Sequence, residues 1–444
     1  MSVSPSVVRN PFLSRFMRAR QAGPFVFVIF GASGDLTKRK LIPALFNLYR
    51  EGFLDAPFCI FGFARRDKTD EIFRQEMMEA IREFSRQKPD SDDQLYEFVK
   101  HLHYVTGSFG DTEAFHRLKT AVTRCTLDRQ IPHNVMYYLA TPPGAFEEII
   151  RNLNEADLVT PIDEGDNWTR MIIEKPFGHD RRSAWALNGA IHQVFNERQV
   201  YRIDHYLGKE TVQNILVFRL GNSIFEPLWN RRYIDNVQIS VSEAIGIGSR
   251  AGYFDKAGII RDMIQSHIMQ IFTLIAMEPP ASFETTAIRD EKVKVLKALR
   301  LPEKEDVAKR VVRAQYTEGS VGGEHVKGYL EEEGVPPDSK TETYLALRAD
   351  IDNWRWADVP FYIRAGKRLP KRVTEVTITF KSPPHLIFDL SGCESLSPNV
   401  LRLRIQPEEG ISLSVGVKRP GQTLTVTPVR MDFDYATSFG VPSP

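Results

Sequence analysis

Residues 25-FVFVIF-30 are apolar without a break, and turn residues follow at once in 31-GASGDLTKRKLIPALFNLYR-50. Such a run predicts a strand buried on both faces. From Leu41 to Tyr49 apolar residues recur at helical spacing, and Pro43 predicts an irregularity near the helix start. The runs within 57-PFCIFGFARR-66, 133-HNVMYYLATPP-143 and 168-WTRMIIEKPFG-178 read as further buried strands. Residues 70–100 and 144–153 read as helices between them. Alternating strand and helix predict a parallel α/β sheet.

After about residue 205 the pattern changes. The segments 236-NVQISVSE-243, 375-EVTITFK-381, 399-NVLRLRIQ-406, 411-ISLSVGVK-418 and 422-QTLTVTP-428 alternate polar and apolar residues. That alternation predicts a large, mainly antiparallel sheet with one solvated or weakly covered face. Helical stretches over 253–276 and 283–300 would cover the other face. The Gly-rich, acidic piece 318–337 reads as a loop region. The expected order is therefore a disordered leader over 1–22, an α/β domain over 23–203 and an α+β domain over 204–444.

Composition narrows the class. The chain has 444 residues, 42% apolar and 26% charged, with a net charge of +1. These values suit a soluble protein of two domains and argue against a general nucleic-acid or membrane-surface binder. No apolar run approaches the ~20 residues that cross a bilayer. Cys59, Cys125 and Cys393 are scattered and odd in number, which predicts no disulfide framework and a cytoplasmic setting. His101 and His103 lie two apart, which is not a metal clamp, so no metal is expected. The first twenty residues carry Arg9, Arg15, Arg18 and Arg20 and no acid. They read either as a plain leader or as a transit peptide.

Several polar residues stand where chemistry is expected. Gly31 and Gly34 follow the first strand and open a helix, so the backbone there can approach a diphosphate held by the helix N-terminus. The glycine pattern is degenerate, because Ser33 and Leu36 occupy the other positions. The second strand ends in Arg65 and Arg66 rather than a carboxylate, which favours a 2′-phosphate and hence NADP over NAD. Asp67 follows directly and opposes that reading in part. The first domain is thus Rossmann-type. In it Glu174 and Lys175 end an apolar strand, as a salt bridge or as ligand-facing groups.

In the second domain, period two puts Glu243 on the face of Val237, Ile239 and Val241. His267 falls on the apolar stripe of Ile260, Ile264, Ile271 and Phe272, while 3.6 periodicity puts Asp262 on another face. Strand 359-VPFYIRAGKRLPKR-372 ends in a cationic run that includes Lys367 and Arg372. The segment 201-YRIDHYLGKET-211 packs an acid, an imidazole, a phenol and a lysine together: a catalytic site, an anion site or ordinary surface.

In order along the chain, GASGDLTKRK, GFAR, YLATPP, EKPFG, RIDHYLGKETVQNI, GYFDKAGIIRDMIQSH, RDEKVKVLKAL and IDNWRWADVPFYIRAGKRL resemble the glucose-6-phosphate dehydrogenase family. The resemblance implies oxidation of glucose 6-phosphate to 6-phosphogluconolactone with NADP as hydride acceptor, the first step of the oxidative pentose phosphate pathway. It implies that His267 is the general base and that Asp204 orients it. His205, Tyr206 and Lys209 would hold the sugar phosphate, so Asp204 and His205 would not pair with each other. Lys175, Glu243, Asp262 and Lys367 would bind the sugar, with Arg372 a further phosphate ligand. Gly31, Ser33, Gly34, Asp35, Leu36, Lys40, Arg65, Pro142 and Lys175 would line the cofactor, with Lys40 and Lys175 near both ligands. A homo-oligomer, dimer or tetramer, is also implied. Two departures stand out: Phe146 replaces a common tyrosine, and the family usually carries a further helical segment past 436-ATSFGVPSP-444. Two other readings stay open, another NAD(P)-dependent sugar oxidoreductase of the EKP type and an inactive sugar-phosphate or dinucleotide binder.

Overall fold

The computed structural model describes residues 21–161, 167–300, 302–385, 396–421 and 425–439. The proposed leader up to residue 20, residues 422–424 of the last alternating segment, Cys393 and the terminal residues 440–444 lie outside them. Two compact units divide the chain between Ile203 and Asp204.

In the first unit β1 (Phe25–Phe30), β2 (Phe58–Ala64), β3 (Leu102–Thr106), β4 (Val135–Leu139), β5 (Thr169–Ile173) and β6 (Val200–Arg202) form one sheet in the order β3-β2-β1-β4-β5-β6. All five pairings are parallel. Alternate β1 residues enter separate cores: Val26, Val28 and Phe30 pack on one face, and Phe25, Phe27 and Ile29 on the other. Two covered faces explain why β1 has no polar position. Strand order reverses between β1 and β4, which is where such a sheet opens a ligand crevice beyond its C-terminal edge.

Local chemistry sets the helix bounds. The helix expected over 70–100 is two helices, Asp70–Phe84 and Asp92–Val99. Pro89 interrupts the span, and Ser91 starts the second helix by accepting from Gln94 N–H. The irregularity expected from Pro43 is a wide π turn over Thr37–Leu41, just before the regular helix Ile42–Arg50.

Distant segments also meet. Cys59 on β2 and Cys125 on the helix Thr112–Asp128 are joined by a disulfide across 66 residues of sequence. This corrects the expectation from cysteine spacing, because the helix folds back over the face of β2 that carries Cys59.

The second unit is built on nine strands: β7 (Ile234–Ser242), β8 (Leu299–Arg300), β9 (Val311–Ala314), β12 (Tyr344–Ile351), β13 (Phe361–Gly366), β14 (Val373–Phe380), β15 (Val400–Gln406), β16 (Gly410–Lys418) and β17 (Val426–Asp434). A separate hairpin, β10 (Gly319–Val321) and β11 (Glu324–Val326), lies in the segment read as loop. The nine-stranded order is β17-β16-β15-β14-β7-β13-β12-β8, with β9 also on β12. Within this sheet only β7 and β13 pair in parallel among the described residues.

Helical segments over 251–276 cover one face through Ile259, Met263, Ile264, Ile268, Ile271 and Phe272. The expected single helix breaks at Gly258, whose φ of +67° only glycine adopts readily; a Cβ there would lie 2.4 Å from Glu342 Oε1. Trp229 and Trp356 donate their indole N–H groups to the carbonyls of Ile275 and Ala276, satisfying that helix end. Among the described residues no helix is long and apolar enough to cross a membrane.

Candidate active site

The first unit collects its predicted residues at the C-terminal ends of its strands. Gly31 closes β1 with φ +88°, and a Cβ there would meet Ala140 O at 2.4 Å. At Gly34 a Cβ would meet Gly31 O at 3.0 Å, and Gly34 N–H donates to that same oxygen. Side chains are therefore excluded from this turn, leaving backbone free to approach a diphosphate. The helix begins at Asp35 and Leu36, and Lys40 is exposed on the π turn. Beyond β2, Arg65 is exposed. The carboxylate of Asp67 accepts from Thr106 Oγ at 3.2 Å, which engages the one local acid opposed to a 2′-phosphate. Pro142 follows β4, and Lys175 follows β5 with a cis bond to Pro176. The neighbouring Glu174 accepts from the Tyr138 hydroxyl at 2.5 Å. Glycine turn, strand-end cation and engaged acid all fit NADP.

In the second unit, chain-distant residues meet around His267. Its Nδ1 lies 2.5 Å from Asp204 Oδ1, with the histidine side chain 1% and the aspartate 11% exposed. The Asp204 carboxylate also accepts from Tyr206 N–H at 3.0 Å. Burial alone would push its carboxyl up, but the hydrogen bond and charge of His267 hold it below the usual carboxylate range. An ionised Asp204 fixes the His267 proton on Nδ1 and leaves Nε2 as the basic nitrogen. The Tyr206 ring stacks on His267 at 4.3 Å, and the exposed His205 ring meets it edge-on at 4.4 Å.

Asp262 is buried, although 3.6 periodicity puts it off the apolar stripe that carries His267. At about 100° per residue, positions 262 and 267 diverge on an α-helix. Residues Ile260–Ile268 instead wind as a π-helix, whose i→i+5 bonds bring residues five apart toward one side. Both are buried. Asp262 lies 3.7 Å from Lys367 Nζ, which also binds Glu243 at 2.5 Å. The Lys367 side chain is 1% exposed and lies over the Phe254 ring at 5.1 Å. One buried ammonium thus holds two carboxylates.

Lys209 and Arg372 converge elsewhere. Both donate to Gln406 Oε1, Arg372 Nη2 at 3.3 Å. Burial, then the charge of Arg372, lowers the Lys209 ammonium from its ordinary value. Lys209 Nζ also lies 4.3 Å from the Tyr206 ring centre. The Tyr206 hydroxyl bonds Thr374 and feels the charges of Glu243, Arg372 and Asp204. One tyrosine therefore neighbours the dyad, the lysine–carboxylate cluster and the cationic pair.

Two family models match the chain: the NAD binding domain of glucose-6-phosphate dehydrogenase over residues 28–214 and its C-terminal domain over 216–444. The chain belongs to the glucose-6-phosphate dehydrogenase family. A glucose-6-phosphate 1-dehydrogenase of Aggregatibacter actinomycetemcomitans is 48% identical over 413 residues, which cover 93% of this chain and 82% of that protein. The Bacillus subtilis protein of the same name is 42% identical, covering 94% and 83%. A solved glucose-6-phosphate dehydrogenase in complex with its substrate glucose-6-phosphate superposes with a TM-score of 0.85 at 36% identity, covering 96% of this chain and 84% of that one.

Within this family fold, three neighbours of the site escaped the sequence reading. Gln406 and Thr374 end or begin sheet strands with no pattern to mark them. Lys292 lies on the helix Thr285–Ala298, bonded to Gln270, and burial lowers its ammonium pKa against the opposing charge of Asp204. Its presence in RDEKVKVLKAL was the only available signal. Phe146 is fully buried, so a hydroxyl at that position would need a buried partner.

Proposed function

We propose that this chain oxidises glucose 6-phosphate at C1 with NADP, using His267 as general base and Asp204 as its orienting partner. The observation that carries the roles is the 2.5 Å contact of a buried imidazole with an ionised carboxylate. His267 Nε2 takes the C1 hydroxyl proton as the C1 hydrogen leaves with its electron pair, and the ring carbon becomes the lactone carbonyl. The Asp204 carboxylate stabilises the imidazolium that forms. NADP, when bound, supplies the hydride acceptor.

Lys209 and Arg372, with His205 and the Tyr206 hydroxyl, hold the phosphate. Lys209 and Arg372 already share one acceptor oxygen on Gln406, and a phosphate oxygen likewise accepts from cationic donors. Glu243 and Asp262 accept from sugar hydroxyls, and Lys367 keeps both carboxylates in place. On the first unit, Gly31, Ser33, Gly34, Asp35, Leu36, Lys40 and Pro142 cradle the dinucleotide, and Arg65 binds its 2′-phosphate. Lys175 is assigned to sugar and nicotinamide by resemblance, supported by its place at the end of β5. The proposed assembly is a cytoplasmic homo-oligomer. The exposed Val429, Met431 and Phe433 on edge strand β17 support association, which light scattering tests.

The deciding experiment follows NADPH and NADH formation with glucose 6-phosphate and with glucose, for the parent chain and for His267→Asn. Reduction of NADP that needs the phosphorylated sugar and is lost in His267→Asn, with substrate binding kept, supports the reading. Equal turnover in parent and variant refutes the base.

A further inference from the structure

On the first unit Cys59, Cys125 and His103, none of them assigned a role above, come together. One ligand atom from each lies within 4.8 Å of the others. Cys59 sits on β2 and His103 on β3, and the β2–β3 register sets Phe61 against His103. The Phe61 and His103 rings stack at 5.1 Å. Cys125 comes down from the helix Thr112–Asp128 onto the same sheet face.

The histidine is held for a second partner. Its Nδ1 bonds Asp70 Oδ2 at 3.0 Å, and Asp70 is itself fixed by Tyr104 N–H at 2.7 Å. The other nitrogen, Nε2, is buried and has no hydrogen-bond partner among the described residues. A buried nitrogen without a partner is destabilising, so its retention calls for a ligand. A carboxylate on one ring nitrogen is also the usual support of a metal-binding histidine.

We propose that Cys59, Cys125 and His103, in the dithiol state of the chain, bind a thiophilic divalent cation such as zinc, with Asp70 orienting the histidine. Reduction of the disulfide by a small dithiol adds two electrons and two protons, gives two thiols, and leaves the reductant as its own disulfide. The cation then displaces both thiol protons and bonds two thiolates and Nε2. Tetrahedral zinc with bonds of about 2.0–2.3 Å separates its ligand atoms by roughly 3.5–3.8 Å, which lies within the span of this cluster. The fourth position opens on a cavity of about 780 Å³ lined by His103 and Cys125. Arg117, Arg124 and Arg129 line that cavity against Asp70, Glu113 and Asp128, so cations do not dominate its field. Disulfide and metal use the same sulfurs and exclude each other.

The test uses the full chain carrying Cys393→Ser, reduced with a dithiol, stripped of metal and titrated with cobalt(II) alone. One equivalent should bind with thiolate-to-cobalt charge-transfer absorption in the near ultraviolet, and zinc should displace it. The oxidised chain should show no band. His103→Ala and Cys125→Ser should each abolish the stoichiometric band, and Asp70→Asn should weaken binding about 10–100-fold. His103 is partly exposed, so its variant carries the test if a cysteine variant fails to fold. A folded, reduced chain that gives no band overturns the site. So does a band that survives His103→Ala.

Discussion

Asp204→Asn is the sharpest perturbation of the proposed dyad, because it removes a charge and keeps the shape. The asparagine oxygen can still accept from His267 Nδ1–H, so the ring keeps its orientation. What disappears is the attraction between the carboxylate and the imidazolium formed as the C1 proton arrives. The contact is 2.5 Å and the aspartate is 11% exposed, which puts the pair between interior and surface. For charge centres about 4 Å apart at an effective dielectric of about 20, Coulomb attraction is about 4 kcal/mol. At about 1.4 kcal/mol per tenfold, that predicts a fall in kcat of about 10³. The assay is NADPH formation at saturating substrates, with substrate affinity measured separately by calorimetry. Deuterium at C1 supplies a second readout, since slowing the bond-breaking step should enlarge the isotope effect. A folded variant that loses less than tenfold, with an unchanged isotope effect, refutes the charge argument.

Lys209→Gln should raise the KM for glucose 6-phosphate about 10- to 100-fold, by loss of one charge-assisted hydrogen bond worth about 1.5–3 kcal/mol, with little change in kcat. A proportional loss for unphosphorylated glucose would count against the phosphate role. Arg65→Ala should weaken NADP far more than NAD in binding titrations; equal weakening removes the 2′-phosphate contact. Arg219→Ala should lower stability by about 3–5 kcal/mol in denaturant unfolding, because Arg219 is fully buried, and the change strips the Glu226 carboxylate and the Leu274 and Ile275 carbonyls of a donor. A cost under about 1 kcal/mol would show that water replaces it. Burial would raise the carboxyls of Asp70 and Glu76, but His103 and the Lys68 and Lys38 ammonium groups outweigh it and hold both low. The unfolded chain then binds more protons, so this stability is full above the ordinary carboxylate range of about pH 4 and is lost as pH falls through the lower folded values. Melting followed down that window should show the loss, with a flatter curve for Glu76→Gln; parallel curves would refute it.

The sequence alone determined β1, β2, β4 and β5 of the first unit but not the short β3 and β6, together with the mainly antiparallel sheet of the second unit and the glycine turn after β1. Each rests on local causes. A strand covered on both faces must be apolar throughout, as β1 is, and a turn that meets Ala140 O at 2.4 Å must be glycine. The composition of the RIDHYLGKE segment left a catalytic site, an anion site and ordinary surface open, and its roles came from the family resemblance.

Beyond the Asp204–His267 pairing that the resemblance implied, tertiary structure decided which groups meet. Nothing in the spacing of Asp204 and His267 joins them, and the adjacent Asp204–His205 pair is the wrong one to read. Periodicity within its helix gave no sign that Asp262 would meet Lys367, a residue on a distant strand end. Gln406 and Lys209 are 197 residues apart, and Cys59 and Cys125 are 66 apart. Such pairings follow from sheet order and from the face on which each helix lands. Those are properties of the whole packed core, and periodicity within one segment carries no record of them.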